Sequence, residues 1–144
     1  MNVTSKSKYA VRALVELARR SSESPVPLIA LAEARGIPSQ FLEQLFAALR
    51  RAGILQSYRG VYGGFAFNRP PDQITVLDVV EILDGPIEPA LCTTDEVCER
   101  RQICSVGDVW VQAKLSVEEV LSGVTIQELA LKESTLEGTS MYYI

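Results

Sequence analysis

At 144 residues, 47% of them apolar, the chain is long enough to bury the core of one domain and too apolar to be a disordered tail. The formal net charge of −4 conceals a polarity: residues 1–69 carry ten basic side chains against four acidic ones, and residues 70–144 carry four against fourteen. No run of about 18 uncharged apolar residues occurs and the first twenty lack a signal-peptide core, so a cytoplasmic protein without a membrane span is expected. With no histidine there can be no serine-histidine or cysteine-histidine catalytic pair, and no phosphate-binding glycine motif follows a strand; the reading is not an enzyme. A basic half joined to an acidic half hints at nucleic-acid binding coupled to another task, although charge alone suits solvated faces equally well.

In chain order, Thr4 or Ser5 can cap a first helix to about Arg20, with Tyr9, Ala13, Leu14, Leu17 and Ala18 recurring on one face. After SSESP, Pro27 and LIALAEARG predict a short second helix that ends at Gly36 in a left-handed cap. Ser39 is the expected N-cap of a third helix, Gln40 to Ala52, whose Leu42, Leu45, Phe46 and Leu49 point inward. Gln40, Glu43, Gln44, Ala47 and Arg51 then share the outward face. Two short helices joined by a tight glycine-containing turn form the unit that lays its second helix in a DNA major groove.

The runs ILQSYRG and GFAFN flank a glycine-rich turn and predict a β-hairpin with Arg59, Gly60 and Tyr62 near its tip. A hairpin after the second helix is a wing, and an arginine at its tip can enter the narrow, electronegative minor groove. Thr75-x-x-Asp78 predicts a capped helix to Asp84; Ser105-x-x-Asp108 predicts another to about Ser122; Thr125-x-x-Glu128 opens a last short helix. On the second of these, Val106, Val109, Trp110, Ala113, Val117, Val120 and Leu121 form an apolar stripe suited to pairing with its copy in a dimer. Such a homodimer sets two reading helices about 34–36 Å apart and asks for a near-palindromic operator in double-stranded DNA.

The expected fold is mainly α with a small β-hairpin. Residues 1–84 form a winged helix-turn-helix DNA-binding domain and 85–105 a cysteine loop. A dimerisation helix and a short following helix occupy 106–131, and 132–144 form a flexible tail.

That loop holds all three cysteines, Cys92, Cys98 and Cys104, with five residues in each gap. Six residues turn through about 240° on a continuous helix, so the thiols converge only if the segment wraps around something. Structural zinc asks for four thiolate or imidazole ligands, and this chain offers three thiols. An iron-sulfur cluster tolerates an oxygen or nitrogen donor at one iron, and a helix starting near Ser105, with Arg100 and Arg101, would face its negative charge.

Together TSKSKYAVRAL, FLEQLF, SYRGVYGGF and the C-x5-C-x5-C loop resemble the IscR and NsrR type of bacterial regulators (the Rrf family), from Thr4 to about Leu131. The resemblance implies a winged-helix dimer that binds DNA and senses iron-sulfur status, nitric oxide or redox state. It implies Cys92, Cys98 and Cys104 as ligands of a cluster, 2Fe-2S in preference to 4Fe-4S. It puts Glu43 and Gln44 on the recognition helix and Arg59 with Gly60 in the wing, the glutamate helping to select which operators are read. The IscR pattern continues with a histidine where this chain has Gly107, and NsrR-like proteins use an aspartate where it has Lys8. The fourth position is thus open to Asp95, Glu96, Glu99, Asp108, water, a small thiol or a group of the second subunit. Two other readings share these residues: a cluster-free regulator of the same fold controlled by thiol oxidation or a metabolic-enzyme partner, and a small iron-sulfur redox carrier.

Overall fold

The structure is a computed structural model that describes residues 3–20, 24–90, 93–94, 99 and 104–141. The helix α1 (Ser5–Arg19) starts at Thr4, whose hydroxyl accepts from the Lys6 N–H at 3.2 Å. Thr4 also donates its N–H and hydroxyl to Asp84 at 2.9 and 2.5 Å, and the buried Ser7 hydroxyl donates to the same carboxylate at 2.5 Å. Burial pushes the Asp84 carboxyl upward, but these bonds from Ser7 and Thr4 outweigh it and hold the group below its ordinary range. One face of α1 buries Ala10, Ala13, Leu14 and Leu17, the helical spacing that the sequence predicts. Tyr9 is half-buried and meets Phe41 edge to face at 5.8 Å.

The next helix, α2 (Leu28–Arg35), stops at Gly36, where φ of 62° and ψ of 37° are the left-handed values expected of it. The chain re-enters helix at once as α3 (Ser39–Arg51). Ser39 is therefore the first helical residue and not the cap: Pro38 already holds φ near −57°, and its carbonyl accepts from the Leu42 N–H at 3.0 Å. Leu42, Leu45, Phe46 and Leu49 are buried as expected.

Antiparallel strands β1 (Leu55–Tyr58) and β2 (Gly64–Phe67) form the hairpin, with Leu55 opposite Phe67 and Tyr58 opposite Gly64. Phe65 packs edge to face on Phe46 at 5.1 Å, seating the hairpin on α3. A 3-10 turn at Pro71–Gln73 leads to α4 (Val76–Asp84), opened by the reciprocal Thr75 and Asp78 bonds that the sequence announces.

Two further helices follow, α5 (Gly107–Ser122) and α6 (Ile126–Met141). The expected Ser105 cap is not formed: the residue preceding α5 is Val106, in right-handed helical conformation and without a side-chain cap bond. Thr125 and Glu128 do exchange their predicted bonds, at 2.9 and 3.1 Å. The helix they open is long, however, and the expected flexible tail is helical from residue 132 to 141. Ile126 and Ala130 are buried in the same core as Leu14 and Phe46, so α6 completes that core. Residues 142–144 lie outside the described residues. Among the described residues no helix is long and apolar enough to cross a membrane.

Candidate nucleic-acid interface and cysteine segment

The outward face of α3 is built by what the helix keeps inside. Burying Leu42, Leu45, Phe46 and Leu49 turns Gln40, Glu43, Gln44 and Arg51 outward, all four exposed, with Ala47 half-buried between them and Ser39 exposed at the leading end. Amide, carboxylate and guanidinium groups at that spacing present the donors and acceptors that base edges and phosphates pair with. The sequence reading missed how this face is tied to the hairpin. Arg50 donates to the Ser57 hydroxyl at 3.1 Å, linking the last turn of α3 to β1, and only the folded proximity of positions seven apart reveals it.

At the hairpin tip Arg59, Gly60 and Tyr62 are exposed, as predicted. Gly60 has φ of 104°, a conformation that favours glycine, and its carbonyl accepts from the Gly63 N–H at 3.0 Å to close the turn. The segment between α1 and α2 joins the hairpin as a third edge: Val26 and Phe65 exchange backbone bonds at 2.9 and 2.8 Å. Helix α3 and the wing are thus joined, through Phe46 against Phe65 and the Arg50 bond to Ser57.

Of the three cysteines, Cys92 and Cys98 lie outside the described residues, as do Arg100, Arg101, Asp95 and Glu96. Cys104 is exposed just before α5, and its sulfur lies 3.9 Å from where a Cβ at Gly107 would stand. Among the described residues no three histidine, cysteine, aspartate or glutamate side chains gather as a metal-binding group.

Residues 3–132 match the family model of Rrf2, described as an iron-dependent transcriptional regulator. The chain belongs to the Rrf2 family. It is 33% identical to the HTH-type transcriptional regulator CymR of Bacillus subtilis (strain 168), over 100% of both chains. It is 35% identical to the HTH-type transcriptional regulator IscR of Sodalis glossinidius (strain morsitans), over 95% of this chain and 83% of that one. Among solved structures, that of CymR, titled the global cysteine regulator of B. subtilis, superposes with a TM-score of 0.79 at 33% identity, covering 92% of this chain and 98% of that one. The IscR of T. potens superposes at 0.74 with 34% identity, covering 93% and 88%. The winged-helix fold and the resemblance to IscR-type regulators are thereby borne out, and this Rrf2 protein is a transcriptional regulator of a DNA-binding family.

Within that family the donor set tests the fit of a cluster. Three thiols supply three of the four protein ligands that an iron-sulfur cluster takes in its usual form. At position 107, beside the Cys104 sulfur, glycine offers no donor, and Lys8 is an exposed cation on α1. Three thiols alone would therefore leave such a cluster one ligand short, to be supplied from elsewhere.

One feature of this Rrf2 chain escaped the sequence reading. Glu133 on α6 accepts from Arg35 at 3.0 and 2.6 Å and from Arg19 at 3.2 Å; Glu137 pairs with Arg19, and Glu16 with Arg35 at 3.1 Å. The Arg35 bonds, outweighing burial, hold the Glu133 carboxyl below its ordinary range, and the same contact raises the Arg35 guanidinium. Arg35 is the last residue of α2 before Gly36, so α6 is fastened to the helix-turn-helix unit itself.

Proposed function

We propose that the protein is a homodimeric, operator-binding regulator whose cysteine segment senses iron-sulfur or redox status. Gln40, Glu43, Gln44 and Arg51, with Ser39 at the leading end, face the major groove of a near-palindromic duplex. Arg59, Gly60 and Tyr62 approach the minor groove. The single observation that supports this reading best is the joining of α3 and hairpin, whose outward side chains are exposed, by the Arg50 bond to Ser57. Glu43 can accept from cytosine N4 and repels acceptor edges and phosphate, which makes it a selector among operators.

Cys92, Cys98 and Cys104 would hold the cluster, 2Fe-2S in preference to 4Fe-4S, with the fourth ligand supplied by a local carboxylate, water, a small thiol or the second subunit. When bound, such a cluster supplies one-electron redox chemistry and sensitivity to oxidants. The chain's own part is to carry a change at Cys104 into α5. Past the turn at Gly123, backbone bonds from Val76 to Val124 (3.0 Å) and from Ile126 to Ile74 (2.9 Å) join the start of α6 to the start of α4. Only a difference in stability between two arrangements of these helices can shift operator affinity.

A second reading is favoured by Gly107: without a donor beside Cys104, the thiols themselves, or a metabolic-enzyme partner, could carry the signal in a cluster-free regulator. Full-length protein isolated anaerobically and analysed for visible absorption, iron and sulfide tests the choice. Bound iron and sulfide that Cys92→Ala, Cys98→Ala and Cys104→Ala each abolish support the cluster. A colourless protein that binds duplex DNA differently when oxidised supports the second reading. A protein that retards no duplex from a random-sequence pool in either state overturns both.

A further inference from the structure

The wing presents Val61 beside Tyr62, the residue proposed above to approach the minor groove. Val61 is 93% exposed and Tyr62 92%, the most exposed large apolar residues at the tip of any element. Gly63 leaves no room for a side chain, since a Cβ there would lie 2.3 Å from the Tyr58 carbonyl oxygen, and at Gly64 it would lie 2.3 Å from that of Val26. The turn closes on Gly60, and β2 is bonded on its other edge to Val26, so the backbone on the β2 side of the pair is tied into the hairpin.

The surroundings name the occupant. From residue 44 to residue 71 the chain holds Arg50, Arg51, Arg59 and Arg69 and no acidic side chain, while the protein as a whole is acidic. This stretch of chain, in which Arg69 is paired with Asp78 at 2.8 Å and Arg50, Arg51 and Arg59 have no acidic partner among the described residues, carries the apolar tip. It is complementary to a polyanion with an apolar interior and follows directly in sequence on the α3 face proposed for the major groove. Valine cannot hydrogen-bond a base edge. Apolar side chains pushed into a minor groove act instead as wedges that part base steps and bend the duplex.

We infer that Val61 and Tyr62 wedge into the minor groove beside each half-site and select for deformable steps there, with Arg59 holding the adjacent backbone. The inference rests on the DNA-reading role proposed above. Pyrimidine-purine steps unstack most readily, so TA and CA/TG steps should be favoured at positions that no side chain reads by hydrogen bonding.

Full-length wild type and a Val61→Ser, Tyr62→Ser double variant are each used to enrich a random-sequence duplex pool. Equal thermal midpoints confirm folding, which two exposed positions should leave intact. Wild type is expected to enrich a central sequence flanked by TA or CA/TG steps. The variant should enrich the same centre without the flanks and bind the wild-type site about ten-fold more weakly. With 2-aminopurine at the flanking step, fluorescence should rise with wild type alone. Identical flanks, affinities within about two-fold and equal fluorescence would overturn the wedge and leave the α3 reading standing. If wild type enriches no sequence, the DNA-reading role fails first and the wedge with it.

Discussion

The two C-terminal helices have the same length, sixteen residues, and opposite relations to the rest of the molecule. The second helix, α6, sinks Ile126 and Ala130 into the common core and is pinned by Arg19 and Arg35. Its neighbour α5 has no buried residue, and exposes Val109, Val111, Leu115 and Val120 with Trp110 at 43%. An apolar stripe that a folded chain leaves in water is a surface for association, and on α5 a second copy of the chain is the proposed partner. One helix is structural, and the other is the proposed surface for a partner.

Substitutions can break that contrast, starting with the largest effect. Ile126→Ala should cost about 2–4 kcal/mol in urea unfolding, as for any fully buried aliphatic side chain. A cost below about 0.5 kcal/mol would mean that α6 is an appendage. Glu133→Gln should cost roughly 1 kcal/mol near neutral pH, since the pairs are only partly buried. The sign with pH follows from the lowered Glu133 carboxyl: its contribution is complete above its unfolded value, about 4.3, and is lost as pH falls through the lower folded value. The difference between wild type and Glu133→Gln should therefore shrink below about pH 4, and a constant difference down to pH 3 would remove the ion pairs from the account. Trp110→Ser should change the stability of the monomer least, by under about 0.5 kcal/mol, yet shift the sedimenting species from dimer to monomer. An unchanged mass would dissociate α5 from dimerisation.

Much of the fold was legible because local chemistry decided it. Thr75 with Asp78 and Thr125 with Glu128 are reciprocal caps whose partners sit three residues apart, and Gly36 stops α2 by its own backbone freedom. The exposed Gln40, Glu43 and Gln44 followed from the 3.6-residue period of α3. Local chemistry also misled. Ser39 and Ser105 have cap-forming side chains, but Pro38 starts α3 one residue early and α5 starts without a cap bond.

The length of α6 could not be read, because what holds it is distant in sequence. Glu133 pairs with Arg35, 98 residues upstream, and with Arg19, 114 upstream. Taken alone, KESTLEGTS is polar and weakly helical; packed against α1 it has cationic partners. The link from Arg50 to Ser57 was hidden for the same reason, since it depends on how the hairpin folds back on α3.

Helix α3 and the wing are proposed to grip duplex DNA as one surface. That grip is tested most directly by measuring the affinity of the full-length protein for its pool-enriched duplex across 50–200 mM salt, beside Arg51→Ala and Arg59→Ala. A grip through several phosphates predicts a loss of affinity of about a thousand-fold over that range, with each variant lowering the slope of log affinity against log salt by roughly one. An affinity that hardly changes with salt, or slopes untouched by both substitutions, would contradict it.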